Sequence, residues 1–232
     1  PKVDMHNGHI IGGEALVRWQ NDKEMIYPDQ FIPVLEKNGY VIDVDNFIWN
    51  KVCACIKMME DKGIEPVPIS VNVSRMHVYQ EKFTENLKNM AGEYGIDPKY
   101  IPLEITESAF TKEEGSLFKK VQSLQGYGFK FSMDDFGSGY SSLGMLKSER
   151  VDEVKIDKTF VDDIATDKGK VLLGNVIRMI NELGIDMIAE GVETKEQADF
   201  LKENGCMYAQ GYYYYKPMPI EEFAKLLENS AR

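Results

Sequence analysis

Short apolar or β-branched segments alternate along this chain with longer amphipathic ones. The short segments are Lys2 to Met5, Ile10 to Trp19, Pro68 to Ser74, Ile101 to Ser108, Phe129 to Phe136, Val151 to Phe160, Asp186 to Thr194 and Met207 to Tyr214. They predict eight strands. Between them the period lengthens to that of a helix, most clearly over Asp43 to Glu60, where Val44, Phe47, Ile48, Val52, Cys55, Ile56 and Met59 share one face. Leu172, Val176, Met179, Ile180 and Leu183 repeat that spacing. Eight strands alternating with helices in 232 residues predict an α/β fold, a TIM-type (β/α)8 barrel. One connection departs from it. Only His6-Asn-Gly-His9 separates the first two strands, Asn7-Gly8 is a hairpin signal, and a parallel crossover needs about a dozen residues. The expectation is therefore a modified barrel with the first strand antiparallel. The chain opens directly in that strand, which reads as a single domain over residues 1–232 excised from a longer protein.

Polar residues interrupt these apolar strands at Glu14, Asn72, Glu104, Asp134 with Asp135, Lys155, Glu190 and Gln210, so that each strand after the first contributes at least one. In a barrel the carboxyl ends of the strands share one face, and residues far apart in sequence meet there over a single pocket. Taken singly, each would be a satisfied core or edge polar group. Together they suggest a site. Its centre is Asp134-Asp-Phe-Gly-Ser-Gly139, where a strand stops in two adjacent carboxylates and a glycine-rich turn. Successive strand residues point to opposite faces, so the two aspartates converge only if the backbone leaves regular β geometry, which Gly137 and Gly139 permit. Adjacent carboxylates raise each other's pKa and destabilise the fold unless a cation offsets them.

Composition narrows the chemistry. With 43% hydrophobic and 28% charged residues, the chain reads as globular, without a membrane-length apolar run or a signal peptide. A cytoplasmic location follows as the expectation, with a membrane-anchored parent protein left open. Cys53, Cys55 and Cys206 are an odd set that suggests buried thiols, and His6, His9 and His77 stand apart from the acidic positions. Any metal site would then use oxygen ligands, which favours magnesium or manganese over zinc. A net charge of -11 argues against binding a nucleic-acid polymer. A small anion is a different matter. The five carboxylates outnumber Lys155 and nearby Arg18 by three, and two divalent ions would reverse that sign and attract a phosphate.

Gly13-Glu-Ala-Leu-Val-Arg-Trp19 resembles the signature of the EAL domain phosphodiesterases, which linearise cyclic di-GMP. The resemblance continues in order through Val71-Asn-Val-Ser74, Leu103-Glu-Ile-Thr-Glu-Ser108, Asp134 to Leu143, Val154-Lys-Ile-Asp157, Ala189-Glu-Gly-Val-Glu-Thr194 and Gln210-Gly-Tyr212. It implies two divalent ions, Mg2+ or Mn2+, held by Glu14, Asn72, Glu104, Asp134, Asp135 and Glu190, with Asp134 bridging. It further implies that Lys155 orients the attacking water, that Gln210 assists beside the metals, that Arg18 contacts a substrate phosphate and that Leu16 lines the nucleotide pocket. The segment after the aspartates, with Phe136, Gly137 and Ser138, would link the site to a homodimer interface, and Glu107 resembles the glutamate that anchors it. Ser138 stands where a threonine is frequent and keeps the hydroxyl. In the parent chain a sensor or diguanylate cyclase domain would precede this one.

The expected activity is metal-dependent hydrolysis of cyclic di-GMP to linear pGpG in bacterial second-messenger signalling. A receptor that binds cyclic di-GMP without cleaving it is the alternative, although none of the implied ligands is missing. A barrel using lysine and metal-bound carboxylates for enolisation or sugar chemistry is a third reading. The run Tyr212 to Tyr215 is expected to alternate between barrel and outer helices as packing, with base stacking as the other option.

Overall fold

The computed structural model describes residues 1–21, 24–106, 114–137, 146 and 151–230. Eight strands close into a barrel: β1 (Lys2–Asp4), β2 (Ile10–Ala15), β5 (Ile69–Asn72), β6 (Leu103–Thr106), β7 (Phe131–Phe136), β8 (Glu153–Ile156), β9 (Asp186–Ala189) and β10 (Tyr208–Ala209). Between β2 and β5 lies a separate hairpin of β3 (Trp19–Gln20) and β4 (Met25–Ile26). β1 runs antiparallel to both neighbours, pairing Val3 with Ala209 on β10 and with Ile10 on β2. The predicted hairpin accounts for this. Gly8 sits at φ 74° and donates its N–H to Asp4 O at 2.8 Å, while the Asp4 N–H reaches His9 O at 2.9 Å.

The strands alternate, and the alternation places charge inside the barrel. Ser70, Glu104, Ser132, Glu153 and Lys155 hydrogen-bond within or across the barrel interior, while their neighbours Val71, Leu103, Ile105, Phe131, Met133, Val154 and Ile156 are buried in the apolar core. That core continues into the surrounding helices. It is completed by helices α1 (Pro28–Asn38), α2 (Val41–Asp61), α3 (Arg75–Tyr79), α4 (Phe83–Tyr94), α5 (Glu114–Gln125), α6 (Lys158–Asp162), α7 (Asp167–Glu182), α8 (Lys195–Glu203) and α9 (Ile220–Ser230). Full burial of one such aliphatic or aromatic side chain contributes about 1.5–3 kcal/mol. Trp49, Ile56, Phe83, Leu87, Phe129 and Leu103 are all essentially inaccessible, so the shell can hold a barrel whose interior is polar.

Several expected boundaries move. The strand expected to reach Trp19 stops at Ala15, and the one expected to reach Phe160 stops at Ile156, leaving Phe160 in α6. Asp157 stops the latter by accepting the Thr159 N–H at 3.0 Å as a helix cap. Glu190 and Gln210 lie one residue beyond their strands rather than within them. Phe47 and Leu172, expected on buried faces, are exposed; the buried stripe of α2 runs through Val41, Asp45, Trp49, Val52, Ile56 and Met59, and that of α7 through Leu173, Ile177 and Ile180. The Tyr212 to Tyr215 run does not alternate. It forms a turn in which Tyr214 and Tyr215 both donate their N–H to Gly211 O at 3.0 Å, with Tyr212 and Tyr213 exposed. All three cysteines are buried free thiols, and burial pushes Cys53 and Cys206 up to about 12. Among the described residues no helix is long and apolar enough to cross a membrane.

Candidate functional site

The carboxyl ends of seven strands bring the predicted polar residues to one face, around the ammonium of Lys155. Its Nζ lies 2.7 Å from Glu104 Oε2, 2.8 Å from Glu190 Oε1, 2.9 Å from Asp134 Oδ1 and 3.2 Å from Glu14 Oε2. Four strands thus direct carboxylates at one cation. Gln210 ties two of them together, its Nε2 donating to Glu14 Oε2 at 2.6 Å and to Glu190 Oε1 at 3.0 Å. Asn72, exposed at the rim, donates its Nδ2–H to Glu14 Oε1 at 3.2 Å.

The aspartate pair depends on a local break in the sheet. The β7–β8 register shifts between Met133 and Phe136, and Asp135 has φ 57°, the only positive φ of a non-glycine residue among those described. The predicted departure from β geometry therefore occurs at Asp135 itself. Gly137 continues it at φ 98°, where a Cβ would come 1.9 Å from the Phe160 ring. As a result, oxygens of Asp134, Asp135 and Glu190 come within 4.8 Å of one another.

Sequence reasoning missed Lys2. Its buried Nζ lies 3.1 Å from Glu104 Oε1 and 3.3 Å from Glu153 Oε1, so Glu104 is held by one ammonium on each oxygen. The signal available was a lysine on the face of the first strand opposite to Val3, and the antiparallel direction brings it to the site. Lys2, rather than Arg18, is the second cation beside the carboxylates. Arg18 instead donates from Nη1 to Val17 O at 2.8 Å and places its guanidinium 5.4 Å over the Tyr27 ring; Leu16 beside it is exposed. Phe136 is buried beneath the turn. Glu107, Ser138 and the loop through Leu143 lie outside the described residues.

Charge is unevenly compensated. Burial disfavours the ionised form of Glu104, but Lys155 and Lys2 overcome this and draw its carboxyl down to about 2. Burial likewise works against the charge of Lys155, yet Glu104, Glu14, Glu190 and Asp134 hold it well above its ordinary value. The others are under-compensated. Burial pushes Glu190 up to about 8, against the pull of Lys155 and with added repulsion from Asp134 and Glu14. Burial, then the charge of Asp134, lifts Asp135 to about 6, and burial with Glu104 raises Glu14. Five carboxylates and one amide oxygen are a hard-ligand set, and their surplus negative charge fits divalent cations such as Mg2+ or Mn2+.

The EAL domain family model matches residues 1–217. The chain belongs to the EAL domain family. This EAL domain is 34% identical to the oxygen sensor protein DosP of Escherichia coli over 224 residues, covering 96% of this chain and 28% of that protein. It is 36% identical over 234 residues to the probable cyclic di-GMP phosphodiesterase PdeB of Escherichia coli, covering 98% of this chain and 43% of that protein. It therefore spans less than half the length of either curated relative. Among solved structures, the PaMucR phosphodiesterase in its c-di-GMP complex superposes with TM-score 0.91 at 32% identity, covering 96% of this chain and 91% of that one. The EAL domain of Mycobacterium smegmatis DcpA superposes with TM-score 0.85 at 29% identity, covering 99% of this chain and 96% of that one.

Proposed function

We propose that this EAL domain is a metal-dependent phosphodiesterase that opens cyclic di-GMP to linear pGpG. The observation that carries the reading is the convergence of Glu14, Glu104, Asp134 and Glu190 on the Lys155 Nζ, with Asp135 close to Asp134 and Glu190. Relatives named for cyclic di-GMP phosphodiesterase activity support the substrate. Glu14, Asn72, Glu104, Asp134, Asp135 and Glu190 would hold two divalent ions, with Asp134 shared. The chemistry those ions supply when bound is polarisation of the scissile phosphate and of the attacking water.

The chain's own residues perform the remaining work. Lys155 orients the water through its Nζ–H groups, which requires it to give up some of its present carboxylate contacts. Gln210 fixes Glu14 and Glu190 through its amide. Arg18 leaves the Tyr27 ring to meet a phosphate oxygen at the mouth of the pocket, and Leu16 covers the nucleotide there. Water oxygen bonds to phosphorus as the P–O3′ bond breaks, and the water proton ends on the released 3′-hydroxyl, giving the 5′-phosphate of pGpG. In the parent protein we place a sensor or cyclase domain before residue 1, as relatives named an oxygen sensor and a bifunctional diguanylate cyclase suggest, and we expect the working unit to be a homodimer.

Incubation with cyclic di-GMP and either Mg2+ or Mn2+, followed by separation of nucleotides, tests this. The expected product is pGpG, absent when a chelator is added. Cyclic di-GMP that binds but stays intact across both metals and a range of protein concentrations would instead make the domain a receptor.

A further inference from the structure

Asn72 is the only uncharged residue among the six assigned to the ions, and the segment that carries it is tied to helix α2 at three points. β2 pairs with β5 only as far as Ala15 with Val71, so the Asn72 carbonyl lies past the end of that ladder. The indole of Trp49 takes it, donating Nε1–H to Asn72 O at 3.1 Å. One turn earlier on α2, Asp45 Oδ2 accepts the Ser74 N–H and the His77 Nδ1–H, each at 3.1 Å. The His77 ring then stacks on Trp49 with centroids 4.3 Å apart and planes 27° from parallel, which joins the three points into one unit.

Packing alone does not account for the imidazole. His77 is fully buried, and its Nε2 is the only buried side-chain nitrogen or oxygen without a partner among the described residues. An apolar side chain would fill the same space without that desolvation cost. What the ring supplies is the Nδ1–H bond to Asp45 and a flat face for the indole. We infer that Trp49, His77 and Asp45 are positioning residues for Asn72, fixing the end of β5 so that the Asn72 amide keeps its place beside Glu14 when cations bind. None of the three is assigned a contact to the substrate. The inference rests on the metal-dependent reading above.

Calorimetric titration of Mn2+ into metal-free protein, with steady-state kinetics on the same samples, separates positioning from stability. Trp49→Phe keeps an aromatic ring and removes the N–H. It should weaken Mn2+ binding about tenfold, the scale on which outer-layer partners act on metal ligands. It should also lower kcat while KM stays within about twofold. Phe83→Leu is the control, because Phe83 packs against both rings, at 6.4 Å from Trp49 and 5.9 Å from His77, and makes no bond to Asn72. It should lower Tm and leave Mn2+ affinity unchanged. If Trp49→Phe does not fold, His77→Leu removes the Asp45 bond and the stack without leaving a polar orphan, and should weaken Mn2+ about threefold. Wild-type Mn2+ affinity in the folded variants, or equal losses in Phe83→Leu, would overturn the inference. Absence of Mn2+ binding by the wild-type protein would defeat the metal-dependent reading and this inference with it; tight wild-type binding with unaffected variants defeats only the inference.

Discussion

The ends of β5 and β7 both turn a polar side chain from a strand terminus into the same pocket, and they do so by different means. At β7 the register shifts, Asp135 adopts φ 57°, and two carboxylates are brought against Lys155 and Glu190. At β5 the strand stays regular to Asn72, and a network of Trp49 and Asp45 from α2 with His77 from α3 holds it from behind. One corner carries a left-handed residue and under-compensated charge; the other is held by hydrogen bonds and ring stacking, with the His77 Nε2 left unpartnered. The β7 corner should therefore respond to pH as well as to metal, and the β5 corner to loss of the bonds that hold Asn72.

Removing the shared carboxylate is the most severe way to test that division. Asp134→Ala should reduce turnover by about a thousandfold or more, since metal assistance supplies several kcal/mol of transition-state stabilisation. Product separation under saturating Mg2+ checks it, and near-normal pGpG formation would break the assignment. Next in size is Lys155→Met, which strips four carboxylates of their common partner. Loss of one member of a buried ionic cluster should destabilise the metal-free protein by about 3 kcal/mol at neutral pH, read by denaturant melts. Acidification should shrink that deficit as the carboxylates take up protons.

The pH dependence of the metal-free protein has a defined sign. Glu190 titrates at about 8 in the fold against an ordinary 4.5, and Asp135 at about 6 against 3.8, so between these limits the folded state binds more protons than the unfolded one. Stability then falls as pH rises from about 5 to 8. Thermal melts in chelator should show Tm higher at pH 5.5 than at pH 8, and saturating Mn2+ should reduce or reverse the difference. The smallest effect sharpens the contrast at one residue. Asp135→Gly removes both the left-handed strain and a carboxylate, and should stabilise the metal-free protein by about 1 kcal/mol while weakening Mn2+ binding.

Much of this site is legible in the sequence, for physical reasons that also mark where legibility stops. Polar residues at Glu14, Asn72, Glu104, Asp134 and Lys155 interrupt apolar strands, and Asn7-Gly8 forces a hairpin, so the inverted first strand and the shared pocket follow from pattern. Strand ends did not, because Glu190 and Gln210 read the same whether they close a strand or open a loop. Phe47 continues a hydrophobic spacing and so reads as part of the buried face of α2, whereas the fold buries Asp45 there to meet His77. A sequence cannot show that an acid has a buried partner 32 residues away. Lys2 was missed for a similar reason, since a lysine opening a strand reads as an edge charge until β1 is seen to run against its neighbours. Trp49 falls outside the face that the hydrophobic spacing marks on α2, yet the fold buries it, and its Nε1–H gives it a bond that a phenylalanine could not make.

The central claim is that the β7 corner is completed by divalent cations. Calorimetric titration of Mn2+ into metal-free protein at pH 7, repeated in two buffers of different ionisation enthalpy, tests it most directly. The account predicts about two ions bound per chain, with net release of about one proton as the raised Glu190 carboxyl ionises. Absence of saturable binding, or binding without proton release, would contradict it.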